Sequence, residues 1–324
     1  MVLLSPDGEL SFLPWVTLLT PEDRFLAEDF DLRYLSSGRD LLEQVGKPAS
    51  PQAMALGSVA FDLLPSARAL AVVSPASRSM RALDQQDLWA LKFDPLPETG
   101  VELDDLERTC RAKGIPIETV RGQDASESWV RSARSPRILH LATHGFFLPT
   151  IQIAPPGAEA STTDLEARGV RLVNPMQRSG VALAGAQRTA EAWKRGETPP
   201  STDDGFLTAE EVGTLDLSGT WLVCLSACET GRGEARSGEG VLGLRRGFVQ
   251  AGARNLLMTL WAVADRETAD FMRDFYEAAL EDGNAPGALA STQKRWLTRL
   301  RQEKGLAEAV RLAGPFLLNF QGRP

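Results

Sequence analysis

Two short, almost uninterrupted apolar runs constrain the fold of this 324-residue chain most strongly. They are Ile138–Ala142 and Leu222–Leu225, and each reads as a strand. Strands that are buried on both faces have this composition, and such strands are typical of parallel sheets. Along the chain, further apolar runs of strand length alternate with helical patterns. The alternation predicts an α/β fold, with a mostly parallel sheet and helices on both of its faces.

The bounds of the predicted elements follow from turn residues and helix-capping signals. Glu211 stands three residues after Thr208, which is the spacing of a capping box. The predicted strands are Val2–Leu4, Ser11–Trp15, Asp31–Leu35, Arg68–Ser74, Ile115–Val120, Arg137–Thr143, Thr220–Ala227, Asn255–Val263 and a short last strand within 314–322. The predicted helices are 37–45, 103–112, 125–134, one that starts at Thr208, 240–250, 266–280 and 286–301.

One long segment, between about Pro149 and Asp204, does not fit this alternation. It contains Pro155-Pro-Gly157 and Thr198-Pro-Pro-Ser201, a composition typical of loops. Loops of this length in a compact domain are usually functional or disordered. We expect the apolar piece Ser179–Gly185 to anchor the middle of the segment to the sheet.

Composition excludes several classes of function. The net charge of −8 argues against a nucleic-acid-binding face, because phosphate neutralisation needs clustered Lys and Arg. The pair Arg245-Arg246 is short and fits a solvated helix face. No apolar run reaches the roughly 18 residues of a membrane span, and the N-terminus lacks the layout of a signal peptide. Three cysteines make no disulfide framework, so we expect a reducing, cytoplasmic location and no membrane partner.

The histidines and cysteines share one spacing. The only two histidines, His140 and His144, are four residues apart, and so are Cys224 and Cys228. Both pairs lie on predicted strands that run into glycine turns, at Gly145 and at Gly231. If the two strands are parallel neighbours with matched ends, His140 lies level with Cys224 and His144 level with Cys228. Four residues of strand rise roughly 13 Å, so the first pair is deep in the sheet and the second reaches its carboxyl edge. Open α/β sheets bind their ligands at that edge.

A thiol and an imidazole that meet at such an edge can perform nucleophilic catalysis. A free thiol has a pKa of about 8.5, so an imidazole must take its proton or stabilise the thiolate. Gly145 has no Cβ, so its N–H can approach a substrate carbonyl and form an oxyanion hole with the N–H of Cys228. We interpret His140, Cys110 and Cys224 as buried packing residues.

Other chemistries fit the pattern less well. The strand geometry places the inner and outer His–Cys pairs too far apart to bind one zinc ion. Leu141 stands where a zinc-protease helix needs glutamate. Residues 231–240 match neither a dinucleotide-binding loop nor a P-loop, and no Gly-x-Ser-x-Gly elbow occurs. We therefore expect no metal and no cofactor.

Several blocks together resemble the CHAT family of caspase-like, separase-related peptidases. They are His140-Leu-Ala-Thr-His144-Gly145, Leu225-Ser-Ala-Cys228-Glu-Thr-Gly231, Gly238-Glu-Gly-Val-Leu-Gly-Leu-Arg245, Leu260-Trp-Ala-Val-Ala-Asp265, Pro6–Trp15 and Asn174–Ala184. The resemblance covers essentially the whole chain. It implies a caspase-hemoglobinase fold, in which residues 1–120 are a pseudo-caspase-like part. Residues 121–324 are then the catalytic part, with an insertion at about 149–204.

The resemblance also implies a His144/Cys228 dyad, with Gly145 and Cys228 donating to the oxyanion. The implied reaction is cleavage of one or a few protein targets in bacterial defence or regulated cell death, for example a pore-forming or other effector encoded nearby. A regulatory repeat region or another activator is an implied partner. Because position 226 is Ser, the caspase Gln-Ala-Cys signature is absent and an aspartate-specific pocket is not expected.

For substrate binding, the resemblance points to Trp261, Val263 and Asp265, with Ser226 beside the nucleophile. Asp265 either receives a basic P1 side chain or caps the helix that follows it. Trp261 fits either the core or the wall of a subsite. Two other functions stay open: a catalytically silent scaffold that binds a partner protein, and another thiol reaction such as acyl transfer.

Overall fold

A computed structural model describes residues 1–42, 48–66, 91–147, 175–197, 203–229, 238–261, 263 and 265–322. Its strands form one mixed sheet. They are β1 (Val2–Leu4), β2 (Leu32–Tyr34), β3 (Ala53–Val59), β4 (Ile117–Gly122), β5 (Ile138–Phe147), β6 (Ser179–Ala182), β7 (Phe206–Thr208), β8 (Leu222–Glu229), β9 (Asn255–Thr259) and β10 (Phe316–Phe320).

The sheet is mostly parallel, as predicted. Its order is β1-β2-β10-β9-β8-β5-β3-β4, with β6 on β5 and β7 on β6. Only the pairs β9–β10, β5–β6 and β6–β7 are antiparallel among the described strands. Strand β5 is central because β3 pairs with its first half and β6 with its last four residues, on the edge opposite to β8. N-terminal strands β1 and β2 join the same sheet beside the C-terminal β10.

Helices cover both faces of this sheet. They are α1 (Leu26–Asp29), α2 (Glu98–Ala112), α3 (Glu127–Arg131), α4 (Ala186–Lys194), α5 (Ala209–Val212), α6 (Gly238–Ala251), α7 (Asp265–Asp282), α8 (Ala285–Lys304) and α9 (Leu306–Ala313). One core packs side chains of α3, α4 and α6 against the sheet. The other core packs α2, α7, α8 and α9 against the opposite face. This arrangement is the predicted α/β architecture, and it is consistent with a caspase-like fold.

Some predicted elements are wrong. Residues Ser11–Trp15 do not form a strand; 3-10 helices span Gly8–Phe12 and Trp15–Thr17. The Asp7 carboxylate accepts the Gly8 N–H and starts the first turn, so local polar contacts outweigh the apolar pattern here. Strand β3 has no counterpart among the predicted elements. The predicted strand Arg68–Ser74 and the end of the predicted helix at 43–45 lie outside the described residues.

Within the long segment at about 149–204, the described residues 175–197 contain regular structure that their composition did not suggest. Within it, Ser179–Ala182 forms β6, which confirms the expected anchor. Helix α4 follows directly, and it contradicts the interpretation of this stretch as a loop. The helix is amphipathic: Ala190 and Trp193 pack into the core while Lys194 remains exposed. Gly185 has a φ of 89° at the junction, a conformation that favours glycine.

No helix in the described part of the chain is long and apolar enough to cross a membrane.

Candidate active site

Strands β5 and β8 align the histidines with the cysteines. They are parallel neighbours whose register places His140 opposite Cys224 and His144 opposite Cys228. The predicted levels of both pairs are therefore confirmed. Neighbouring strands lie about 5 Å apart, so the backbones of His144 and Cys228 are adjacent at the carboxyl edge of the sheet.

Strand β5 extends further than its sequence suggested. The predicted strand stops at Thr143, before a turn at Gly145, but β5 continues to Phe147. It continues because β6 pairs with residues 144–147 in antiparallel register. Gly145 consequently lies opposite Glu229 on one side and Val181 on the other, so the expected glycine turn is wrong.

The ring of His144 is held in one orientation. Its Nε2 lies 2.7 Å from the backbone carbonyl oxygen of Asp94. A carbonyl can only accept a hydrogen bond, so in the neutral ring Nε2 carries the hydrogen and Nδ1 carries the basic lone pair. Phe61 and Phe93 pack beside the imidazole, with ring centroids at 5.1 and 5.9 Å. His144 is only 5% exposed, so the structure shelters its lone pair from bulk water.

Gln187, on α4, ties together the two segments that flank this ring. The side-chain oxygen of Gln187 accepts the backbone N–H of Phe93 at 3.1 Å, and the backbone N–H of Gln187 donates to the carbonyl of Phe61 at 2.9 Å. The segment after Phe93 is restrained further because Asp94 precedes Pro95, which disfavours helical backbone at Asp94. Sequence reasoning missed Asp94 and Gln187. A backbone carbonyl has no side-chain signature, and the Asp94-Pro95 dipeptide was the one available signal.

The inner His–Cys pair belongs to a buried polar cluster. His140 is fully buried. Its Nδ1 is hydrogen-bonded to the Tyr276 hydroxyl at 2.9 Å, and its Nε2 lies 3.3 Å from a carboxylate oxygen of Glu102. Burial lowers the pKa of His140 to about 3, so the ring is neutral at physiological pH. Burial raises the pKa of Cys224 as well, so its thiol stays protonated. Both residues are buried, as predicted.

Ser226 joins that cluster from β8. Its hydroxyl donates to Glu102 at 2.9 Å, so it reaches toward α2. Glu102 thus connects residues of β5 and β8, the two strands that carry the outer pair. The predicted role of Ser226 in substrate binding remains a prediction, but its observed partner is structural.

The other predicted substrate-binding residues follow β9, which ends at Thr259 and not at Val263 as the sequence suggested. Val263 is buried in the core beneath α7. Trp261 is partly buried, and its indole N–H donates to the Arg311 carbonyl at 3.1 Å. Asp265 is the first residue of α7, and its side chain lies outside the described residues.

Among the residues that the structure describes, no group of three or more His, Cys, Asp or Glu side chains could hold a metal ion.

The fold and the strand register together define the class of protein. A mostly parallel sheet, with a histidine and a cysteine level on adjacent strands at its carboxyl edge, is the architecture of caspase-like proteins. Comparison with protein families matches residues 1–313 to the CHAT domain. The chain therefore belongs to the CHAT domain family, which is related to caspase-like peptidases. No curated protein matches the sequence with significant similarity.

Proposed function

We propose that the protein is a cysteine endopeptidase, with Cys228 as nucleophile and His144 as general base. The observation that carries the proposal is the register of β5 and β8, which sets His144 opposite Cys228. The hydrogen bond from His144 to Asp94 supports it, because it directs the hydrogen of the neutral ring to Nε2 and leaves Nδ1 to accept a proton.

The reaction then has two stages. Nδ1 of His144 takes the thiol proton of Cys228, and the thiolate attacks the scissile carbonyl. The proposed oxyanion donors are the N–H groups of Gly145 and Cys228. Both residues are paired within the sheet in this structure, so the proposal requires release of these N–H groups from the strand pairing. The protonated imidazole then gives its proton to the leaving amine. Water then hydrolyses the thioester. The Asp94 carbonyl, an acceptor for Nε2–H, also stabilises the imidazolium that forms between the two steps.

The biological setting follows from the family relationship. We propose that the enzyme cleaves one or a few protein targets in the cytoplasm, within bacterial defence or regulated cell death. A nearby-encoded effector is the proposed substrate, and an activator or a repeat region is the proposed regulator. Asp265 is the proposed partner of a basic P1 side chain. Residues 121–324 form the proposed catalytic part and residues 1–120 the pseudo-caspase-like part.

The burial of His144 favours a second candidate, a scaffold that binds a partner without catalysis. A general base that is 5% exposed is poorly accessible to a substrate in this state of the protein. The same burial is expected of a peptidase that opens only on activation, so the two candidates differ in whether the Cys228 thiol is reactive.

Cleavage of a library of peptides and co-encoded proteins tests the proposal. Cuts mapped by mass spectrometry should occur with the wild type and with Cys110→Ala, whose thiol is buried away from the dyad. They should disappear with Cys228→Ala and with His144→Ala. If no cuts occur, labelling with a thiol-reactive electrophile distinguishes the peptidase from the scaffold. Labelling of Cys228 in the wild type that is lost in His144→Ala supports a peptidase that lacks its activator. No labelling of Cys228 supports the scaffold.

A further inference from the structure

A narrow pocket opens on the other side of β9 from β8. It lies between α6, β9, β10 and the first 3-10 helix. It is lined by the polar side chains of Arg245, Asn319 and Ser11, and by apolar side chains that include Leu242, Met258 and Leu317. The cross-strand pairs Leu317–Met258 and Asn319–Leu256 give the floor a continuous sheet surface. The pocket does not include the residues of the proposed dyad.

Arg245 is not the solvated residue that its sequence context predicted. It is half-buried on α6, and burial lowers the pKa of its guanidinium. The Arg245 guanidinium donates to the Asn319 side-chain oxygen in a long hydrogen bond of 3.4 Å. Asp40 is close enough to act on its charge, but the Asp40 carboxylate accepts the N–H groups of Ser36 and Ser37.

Asn319 supplies a second unused donor. A guanidinium can only donate, so the Asn319 oxygen faces Arg245 and Nδ2 points elsewhere. Asn319 is 4% exposed, and Nδ2 has no hydrogen-bond partner within the described parts of the chain. Burying an amide donor without a partner destabilises the folded state, so native structures seldom keep one unpaired.

We propose that this pocket binds a carboxylate carried on a short apolar stem. The guanidinium and the Asn319 amide are both donors and bring a single positive charge, which matches one carboxylate. The apolar walls match the stem. A phosphate dianion would need more donors and more charge than these residues offer, and a cation would meet only donors. A small free carboxylic acid and the side chain of a peptide glutamate share this chemistry.

Thermal unfolding with sodium butyrate as the probe tests the proposal. At constant ionic strength, butyrate should raise Tm with increasing concentration, whereas neutral butyramide and sodium chloride should not. N-acetyl-glutamate amide separates the sources: stabilisation by both compounds indicates that a peptide side chain can fill the pocket, and stabilisation by butyrate alone indicates a free acid. Larger stabilisation by phosphate than by butyrate would overturn the carboxylate assignment.

Variants locate the effect. Arg245→Met should lose the response, and Arg246→Met, at the exposed neighbouring position, should keep it. Asn319→Asp is nearly isosteric and places a carboxylate beside the guanidinium. It should raise Tm without ligand and abolish the butyrate response, and it decides the question even if Arg245→Met does not fold. An unchanged response in Asn319→Asp, or no response in the wild type, would refute the site.

Discussion

The Nε2 nitrogen of His144 lies 2.7 Å from the backbone carbonyl oxygen of Asp94, a residue fifty positions earlier in the chain. This contact orients the imidazole and selects its tautomer. It depends on the backbone at 93–95, where Gln187 holds Phe93 and Pro95 restricts Asp94. In the proposed mechanism, the conformation of this short segment therefore controls the basicity and direction of Nδ1.

The first prediction separates the Asp94 backbone from its side chain. Asp94→Ala should leave cleavage unchanged, because the Asp94 side chain is exposed and its carbonyl is retained. Pro95→Gly should make the backbone beside the Asp94 carbonyl more flexible. Ordering it again in the transition state should cost about 0.5 to 1 kcal/mol, which corresponds to a roughly two- to fivefold fall in kcat with little change in KM. Nitrogen-15 NMR of the histidines gives a readout without activity: Nε2 should be protonated in the wild type and Asp94→Ala. Equal spectra and rates for all three proteins would contradict the assignment.

Ser226→Ala distinguishes a structural role from substrate binding. The hydroxyl bonds to Glu102, so its removal should lower the free energy of unfolding by about 1 to 2 kcal/mol while KM stays unchanged. Urea unfolding and peptide kinetics check the two effects. Ser5→Ala is the control, because the Ser5 hydroxyl makes only an exposed bond to a backbone carbonyl. A raised KM with normal stability would instead place Ser226 in the substrate site.

A buried acidic cluster at the end of the long segment makes stability depend on pH. Arg131 binds Glu127 at 2.5 Å and Glu211 at 3.0 Å, and Asp204 lies beside them. Burial, with a further contribution from the charge of Glu211, raises the pKa of Asp204 from 3.8 to about 7. Between these values the unfolded chain is ionised while the folded protein retains the proton. The contribution of Asp204 to the free energy of unfolding is therefore fully present below pH 3.8 and is lost as the pH rises through about 7.

Asp204→Asn should remove this loss. The asparagine oxygen can still accept the Phe206 N–H, as Asp204 does at 2.9 Å, and it does not ionise. Relative to the wild type, the free energy of unfolding should rise by roughly 1 to 3 kcal/mol at pH 8 and stay unchanged near pH 4. Asp216→Asn, at an exposed position, should show neither change. Parallel pH profiles of wild type and Asp204→Asn would rule out the raised pKa.

Gly180 on β6 has no room for a side chain. A Cβ there would collide with the Leu207 carbonyl oxygen and lie 2.5 Å from Cζ of Phe146. Gly180→Ala should therefore cost about 1 to 3 kcal/mol and weaken the pairing of β6 with residues 144–147. Urea unfolding and amide exchange in β6 measure both effects. Gly38→Ala, with nothing within 4 Å, should be neutral, and equal behaviour of the two variants would contradict the close packing.

Much of the architecture could be predicted from local patterns. The parallel sheet and the levels of His140 with Cys224 and of His144 with Cys228 followed from apolar runs and from equal spacing on neighbouring strands. These properties are local, because strand composition reports burial on both faces and four residues fix the rise along a strand. The capping box at Thr208 and Glu211 was likewise predicted, because both of its hydrogen bonds join residues three apart.

Other features were decided by the tertiary structure alone. The Asp94 carbonyl that orients His144, the β6 pairing that keeps Gly145 in a strand, and the partly buried Arg245 beside Asn319 all join segments distant in sequence. In each case the decisive partner is a backbone group or an amide whose identity carries no local pattern. Buried polar groups take the partners that the packed chain brings to them. The sequence by itself therefore determined the levels of the two His–Cys pairs on their strands, because that depends on local spacing, and packing determined which way the His144 ring points.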